Sequence, residues 1–71
     1  VTFQKLSEAI NALNKAVKHV LIVDDNIDVQ QVLTRMLGLY KQGLEITTAT
    51  SGEEALRLLQ RQAFDLILLD L

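Results

Sequence analysis

Asp65-Leu66-Ile67-Leu68-Leu69-Asp70-Leu71 holds four apolar residues between two aspartates. Four uninterrupted apolar residues leave no polar face, the pattern of a strand covered on both sides, with Asp70 emerging at its C-terminal edge. Val20-Leu21-Ile22-Val23-Asp24-Asp25 is a near copy, four apolar residues followed by two carboxylates. Taken as parallel strands of one sheet, the two runs bring Asp24, Asp25 and Asp70 to the crevice beyond their carboxyl ends, where open α/β sheets bind ligands. Three like charges brought together are unfavourable unless a cation or a proton compensates. A divalent metal site is the first expectation.

Between the two runs the chain alternates. Val29, Val32, Leu33, Met36, Leu37 and Tyr40 recur with the helical period and form one apolar stripe, so Met36 and Tyr40 are expected in the core. Asn26 or Asp25 can cap that helix, Asp28 suits its first turn, and Gly43 supplies a left-handed stop. Leu44-Glu45-Ile46-Thr47-Thr48-Ala49 alternates and is β-branched, the mark of a half-exposed edge strand. Ser51-Gly52-Glu53-Glu54 is a capping box ahead of a short helix carrying Ala55, Leu56, Leu58 and Leu59. Phe64 is expected to plug the corner into the last strand.

The order β-α-β-α-β implies a parallel sheet with right-handed crossovers. The two fully apolar strands belong side by side and the polar one outside, giving strand order 2-1-3 with a helix on each face. Both aspartate clusters then lie at the switch point of the sheet.

Upstream, Phe3, Leu6, Ile10, Leu13, Val17 and Val20 are spaced as an a/d heptad seam. Residues 1–18 are therefore expected to form an amphipathic linker or signalling helix, able to support a homodimer. The chain has no cysteine and a net charge of -2, which gives no thiolate metal site and no basic footprint for nucleic acid or anionic lipid. No apolar run approaches the roughly 20 residues of a membrane span, and the expectation is a cytoplasmic protein. The start at Val1 and the end one residue past Asp70 read as a fragment of something longer. His19, the single histidine, is expected at an ordinary surface position.

Oxygen ligands from Asp24, Asp25 and Asp70 suit a hard cation, and Mg²⁺ fits best because it combines carboxylates with water and phosphate oxygens. One carboxylate can alternatively act as a nucleophile toward a phosphoryl group while the metal neutralises developing charge.

Val20–Asn26, Ala49-Thr50-Ser51-Gly52-Glu53-Glu54-Ala55-Leu56 and Asp65–Leu71 together resemble the first half of a response-regulator receiver domain. The Asp24-Asp25-Asn26 opening looks most like receivers attached to hybrid sensor histidine kinases. The resemblance spans residues 19–71 and implies a flavodoxin-like fold, here truncated to the β-α-β-α-β portion. It implies that Asp70 accepts a phosphoryl group from a histidine kinase or histidine phosphotransfer domain. It implies too that Asp24 and Asp25 hold Mg²⁺ with Asp70, Asp25 as the more direct ligand, and that the helix from Ile27 to Lys41 is the docking face. A receiver normally continues with a hydroxyl residue and a lysine at later strand ends, so phosphorylation is expected to be impaired in this segment. The alternative expectation is an association fragment, dimerising through the heptad helix or the open edge of the last strand, with a vestigial acidic site. A Mg²⁺-dependent phosphohydrolase is less favoured, because such enzymes space their aspartates by one residue and Asp24 and Asp25 are adjacent.

Overall fold

The computed structural model describes residues 17–70, with Asp70 described by its backbone alone. The elements are β1 (His19–Asp24), α1 (Ile27–Tyr40), β2 (Glu45–Ala49), α2 (Gly52–Arg61) and β3 (Leu66–Asp70). The three strands form one parallel sheet in the order β2-β1-β3, as the apolar and polar runs require. β1 lies in the middle because its apolar run leaves no face for water: Val20, Leu21, Ile22 and Val23 are all completely buried. Each such side chain contributes about 1.5–3 kcal/mol when removed from water.

Strand alternation divides these four side chains between two cores. Val20 and Ile22 pack with Leu33 and Leu37 of α1 and with Val17, and half-buried Ile46, Leu66 and Leu68 close that cluster. Leu21 and Val23 pack on the other face with Ala49 and with Ala55 of α2, joined by Leu58 and by Phe64 at the corner into β3. The helices therefore cover opposite faces, as right-handed crossovers predict.

Both helices start at the residues expected to cap them. Asn26 Oδ1 accepts from the N–H groups of Asp28 and Val29 at 2.9 and 3.2 Å. Ser51 Oγ accepts from Glu54 N–H at 3.1 Å. The returning half of that capping box is displaced: Glu54 Oε2 accepts from the N–H and the hydroxyl of Thr50, one residue ahead of the cap. After α1 the chain reverses through Gly43, whose φ of 83° lies where side chains with a Cβ are strained.

The apolar stripe of α1 is only partly the buried one, which corrects the placement of Met36 and Tyr40. Met36 is 41% exposed and Tyr40 58%, and Val32 is exposed with them, whereas Leu33 and Leu37 are sealed. At 100° per residue, Gln30, Leu33 and Leu37 share a narrow arc, with Gln30 beyond Leu37 on one side and Met36 and Val32 beyond Leu33 on the other, turned toward solvent. Tyr40 is the last residue of the helix.

The heptad helix expected over residues 1–18 falls, up to residue 16, outside the described residues. Val17 and Lys18, its last two positions, are not helical. Val17 is a core residue at 6% exposure, and its carbonyl accepts from Lys41 Nζ at 2.7 Å. No helix among the described residues is long and apolar enough to cross a membrane.

Candidate functional site

The C-terminal ends of the strands are built by a short relay of polar contacts. Asp24 ends β1 almost wholly buried, and its Oδ1 accepts from the N–H of Asn26 at 2.9 Å. This aspartate-to-second-residue bond is the turn that lifts the chain off the sheet. Asn26 then caps α1, so one residue ends the turn and begins the helix. Asp25, between them, is exposed. It lines an open depression of ≈ 420 Å³ with Asn26, Ile27 and Asp28.

One participant went unrecognised in the sequence. Gln30 is 6% exposed, and its Nε2 donates to the carbonyls of Asp24 at 2.7 Å and Ala49 at 2.8 Å. Both amide protons are thus spent on the last carbonyls of β1 and β2, which ties the two strand ends to the first turn of α1. The signal that could have found it is a polar residue at a buried helical position, with Leu33 and Leu37 three and seven residues on.

The third carboxylate arrives through strand pairing. β1 and β3 run in register from Val20 opposite Leu66 to Asp24 opposite Asp70. The two runs that resemble each other in sequence are thus neighbours in space, and their terminal aspartates occupy matching positions. Among the described residues, no three acidic or imidazole side chains converge closely enough to hold a metal by themselves. Asp24 and Asp25 supply two carboxylates, and the backbone brings the position of Asp70 alongside. Carboxylate oxygens are donors that a hard divalent cation takes, together with water, so the residues present fit Mg²⁺.

The opposite end of the sheet carries a different set of contacts. His19 Nε2 lies 3.2 Å from Glu45 Oε2, a cross-strand pair in the register that places His19 opposite Glu45. His19 is thus a half-exposed strand residue at the opposite end of β1 from Asp24, in keeping with the ordinary position expected of it. Asp65, just before β3, accepts from the N–H groups of Lys18 and His19, both at 2.9 Å through Oδ2. Those bonds, His19's the larger contributor and Lys18's next, hold the Asp65 carboxyl below its ordinary value.

Residues 20–71 match the family described as the response regulator receiver domain. A protein of Cyanidium caldarium named "probable transcriptional regulator ycf27" is 42% identical over 60 residues, which cover 84% of this chain and 23% of that protein. A protein of the same name from Cyanophora paradoxa is 40% identical over 53 residues, covering 75% of this chain and 21% of the relative. The chain therefore spans less than a quarter of the length of these curated relatives. No solved structure gives a significant match.

Proposed function

Because the chain belongs to the response regulator receiver domain family, a module of two-component phosphorelay signalling, we propose that Asp70 is its phospho-acceptor and that Asp24, Asp25 and Asp70 hold Mg²⁺. Receiver domains of this family work with a histidine kinase or a histidine phosphotransfer partner. In the proposed step a carboxylate oxygen of Asp70 attacks the phosphorus of a partner's phosphohistidine. The P–N bond breaks, an acyl phosphate forms, and the imidazole leaves with the electron pair. Mg²⁺, when bound, offsets the charge on the phosphoryl oxygens.

The observation that carries this reading is the pairing of Asp24 with Asp70 across β1 and β3. The division between the paired carboxylates of β1 supports it further. Asp24 is buried and held by Asn26, which suits an anchoring role, while exposed Asp25 suits direct ligation. Ile27, 58% exposed beside the acidic rim, gives a partner an apolar foothold at the start of α1. A cytoplasmic location belongs to the same proposal.

Acetyl phosphate with Mg²⁺, followed by intact-mass measurement, tests the step. One added phosphoryl group is expected on the chain, at the reduced yield that its sequence predicts, absent after chelation of the metal and absent in Asp70→Asn. A wild-type chain that takes no label, or an Asp70→Asn chain that takes it equally, overturns the assignment.

A second reading, self-association without phosphotransfer, is favoured by one feature. β3 pairs with β1 alone among the described residues, and its Ile67 and Leu69 are 44% and 55% exposed. An apolar strand at the edge of a sheet is a template for another chain. Light scattering over a concentration series decides it, and a monodisperse monomer throughout removes it.

A further inference from the structure

The pairing of β1 with β3 brings the positions of Asp24 and Asp70 together, yet its aliphatic pairs by themselves do little to select it. Val20-Leu21-Ile22-Val23 lies against Leu66-Ile67-Leu68-Leu69, aliphatic opposite aliphatic at every step. Register is specified where a slip turns apolar side chains toward water. A slip of two residues leaves every side chain on its own face and keeps some aliphatic pairs, but it sets Asp70 opposite Ile22 in one direction and Asp65 opposite Leu21 in the other. No tight turn helps, because the strands are far apart in the chain and joined through α1, β2 and α2. At the C-terminal end the opposed residues are Asp24 and Asp70, whose like charges offer no attraction.

Specific contacts occur at the other end. Asp65 N–H donates to the His19 carbonyl at 2.9 Å, and Asp65 Oδ2 takes the successive N–H groups of Lys18 and His19, also at 2.9 Å. A carboxylate gripping two consecutive backbone donors is a charge-assisted contact with a fixed address on β1. A slip further along β1 would leave it nothing equivalent, because there the N–H groups are engaged by the sheet.

We propose that Asp65 is a positioning residue for the phospho-acceptor: from the entry of β3 its grip on β1 helps to select the register that brings Asp70 opposite Asp24. The proposal rests on the reading of Asp70 as acceptor. A two-residue slip would carry the Asp70 position about 6.6 Å along the strand. Misplacement by roughly 1 Å can already slow a positioned reaction about 100-fold.

The test compares Asp65→Ala and Asp65→Asn in the whole chain. Backbone cross-peaks between Val20 and Leu66 and between Val23 and Leu69 report the register by NMR, and the acetyl phosphate reaction reports its consequence. Asparagine keeps an oxygen for both N–H groups, so it should retain the cross-peaks and label within about threefold of wild type. Alanine should lose or average the cross-peaks and label at least about tenfold more slowly, at a temperature where circular dichroism shows it folded. If Asp65→Ala unfolds in buffer, the spectra are taken in trimethylamine oxide, which favours compact states without replacing the lost acceptor. Wild-type cross-peaks in Asp65→Ala overturn the proposal. A wild-type chain that takes no label removes the acceptor reading, and the cross-peaks then decide the register claim alone.

Discussion

Replacing Gln30 by methionine keeps the length and flexibility of the side chain and removes both of its donors. The two bonds lost, at 2.7 and 2.8 Å, satisfy the final carbonyls of β1 and β2 in a setting where Gln30 and Ala49 are both sealed. At about 1 kcal/mol for each bond, and more where a buried carbonyl is left unpaired, the gross loss is about 3–4 kcal/mol. The burial of an extra apolar group returns about 1 kcal/mol, so the net destabilisation should be about 2–3 kcal/mol. For a chain of this length, with a total stability of roughly 4–10 kcal/mol, that is a large share. Urea unfolding followed by circular dichroism should show the midpoint lowered by about 2–3 M if the slope is near 1 kcal/mol per M. Gln30→Glu should be worse at neutral pH, where a carboxylate faces two carbonyl oxygens, and should recover partly in acid as its proton restores one donation. A Gln30→Met midpoint equivalent to within about 0.5 kcal/mol of wild type, at unchanged slope, would refute the idea that this amide ties the strand ends.

The two neighbours Met36 and Leu37 should separate sharply. Leu37→Ala, at a position 1% exposed, should cost about 2–5 kcal/mol in urea unfolding, while Met36→Ala, at 41% exposure, should stay under about 1 kcal/mol. Asn26→Ala removes the cap of α1 and should destabilise by about 1 kcal/mol, lowering the thermal midpoint by about 4–8 °C, with Asn26→Asp largely neutral. The Asp65 contacts predict a pH dependence of definite sign. Because folding lowers this carboxyl, its contribution is complete above the ordinary value of 3.8 and disappears as pH falls below that toward the folded-state value. The gap in urea midpoint between wild type and Asp65→Ala should therefore be constant near neutrality and close in acid.

Much of the architecture was legible in the residues. Two four-residue aliphatic runs, one β-branched alternating run and two capped helical segments left little choice of topology, and the observed order β2-β1-β3 follows from which strand tolerates water. The convergence of the aspartate positions was legible for the same reason, since it needs only the register of the two like strands. What periodicity could not supply was the rotation of α1 about its axis. Its stripe is broader than the sheet can cover, and the buried arc is turned away from Met36 toward Gln30, whose two carbonyl acceptors are supplied by other elements. Asp65 was hidden for a related reason. It looks like the leading residue of a strand, and its backbone partners lie 47 and 46 residues away, a distance that leaves no spacing signature. The displaced half of the capping box is a smaller case, in which Thr50 offers a hydroxyl as well as an amide to the same glutamate.

The central position of β1 has a bearing on how the chain comes into being. Its two partners both follow it, and the later one is made only when the chain has grown by a further 46 residues, the separation between His19 and Asp65. At about 5–20 residues per second, the most apolar segment of the sheet waits roughly 2–9 s on the ribosome with one flank unpaired. In the later part of that interval α1 and β2 can already form around it, giving a two-stranded intermediate whose open side has the same aliphatic character as the strand still to come. Another nascent chain of the same kind offers that side an equally good match. Efficient production of this domain therefore depends on β3 of its own chain arriving before a neighbour's, which favours slow initiation and well-separated ribosomes over rapid synthesis.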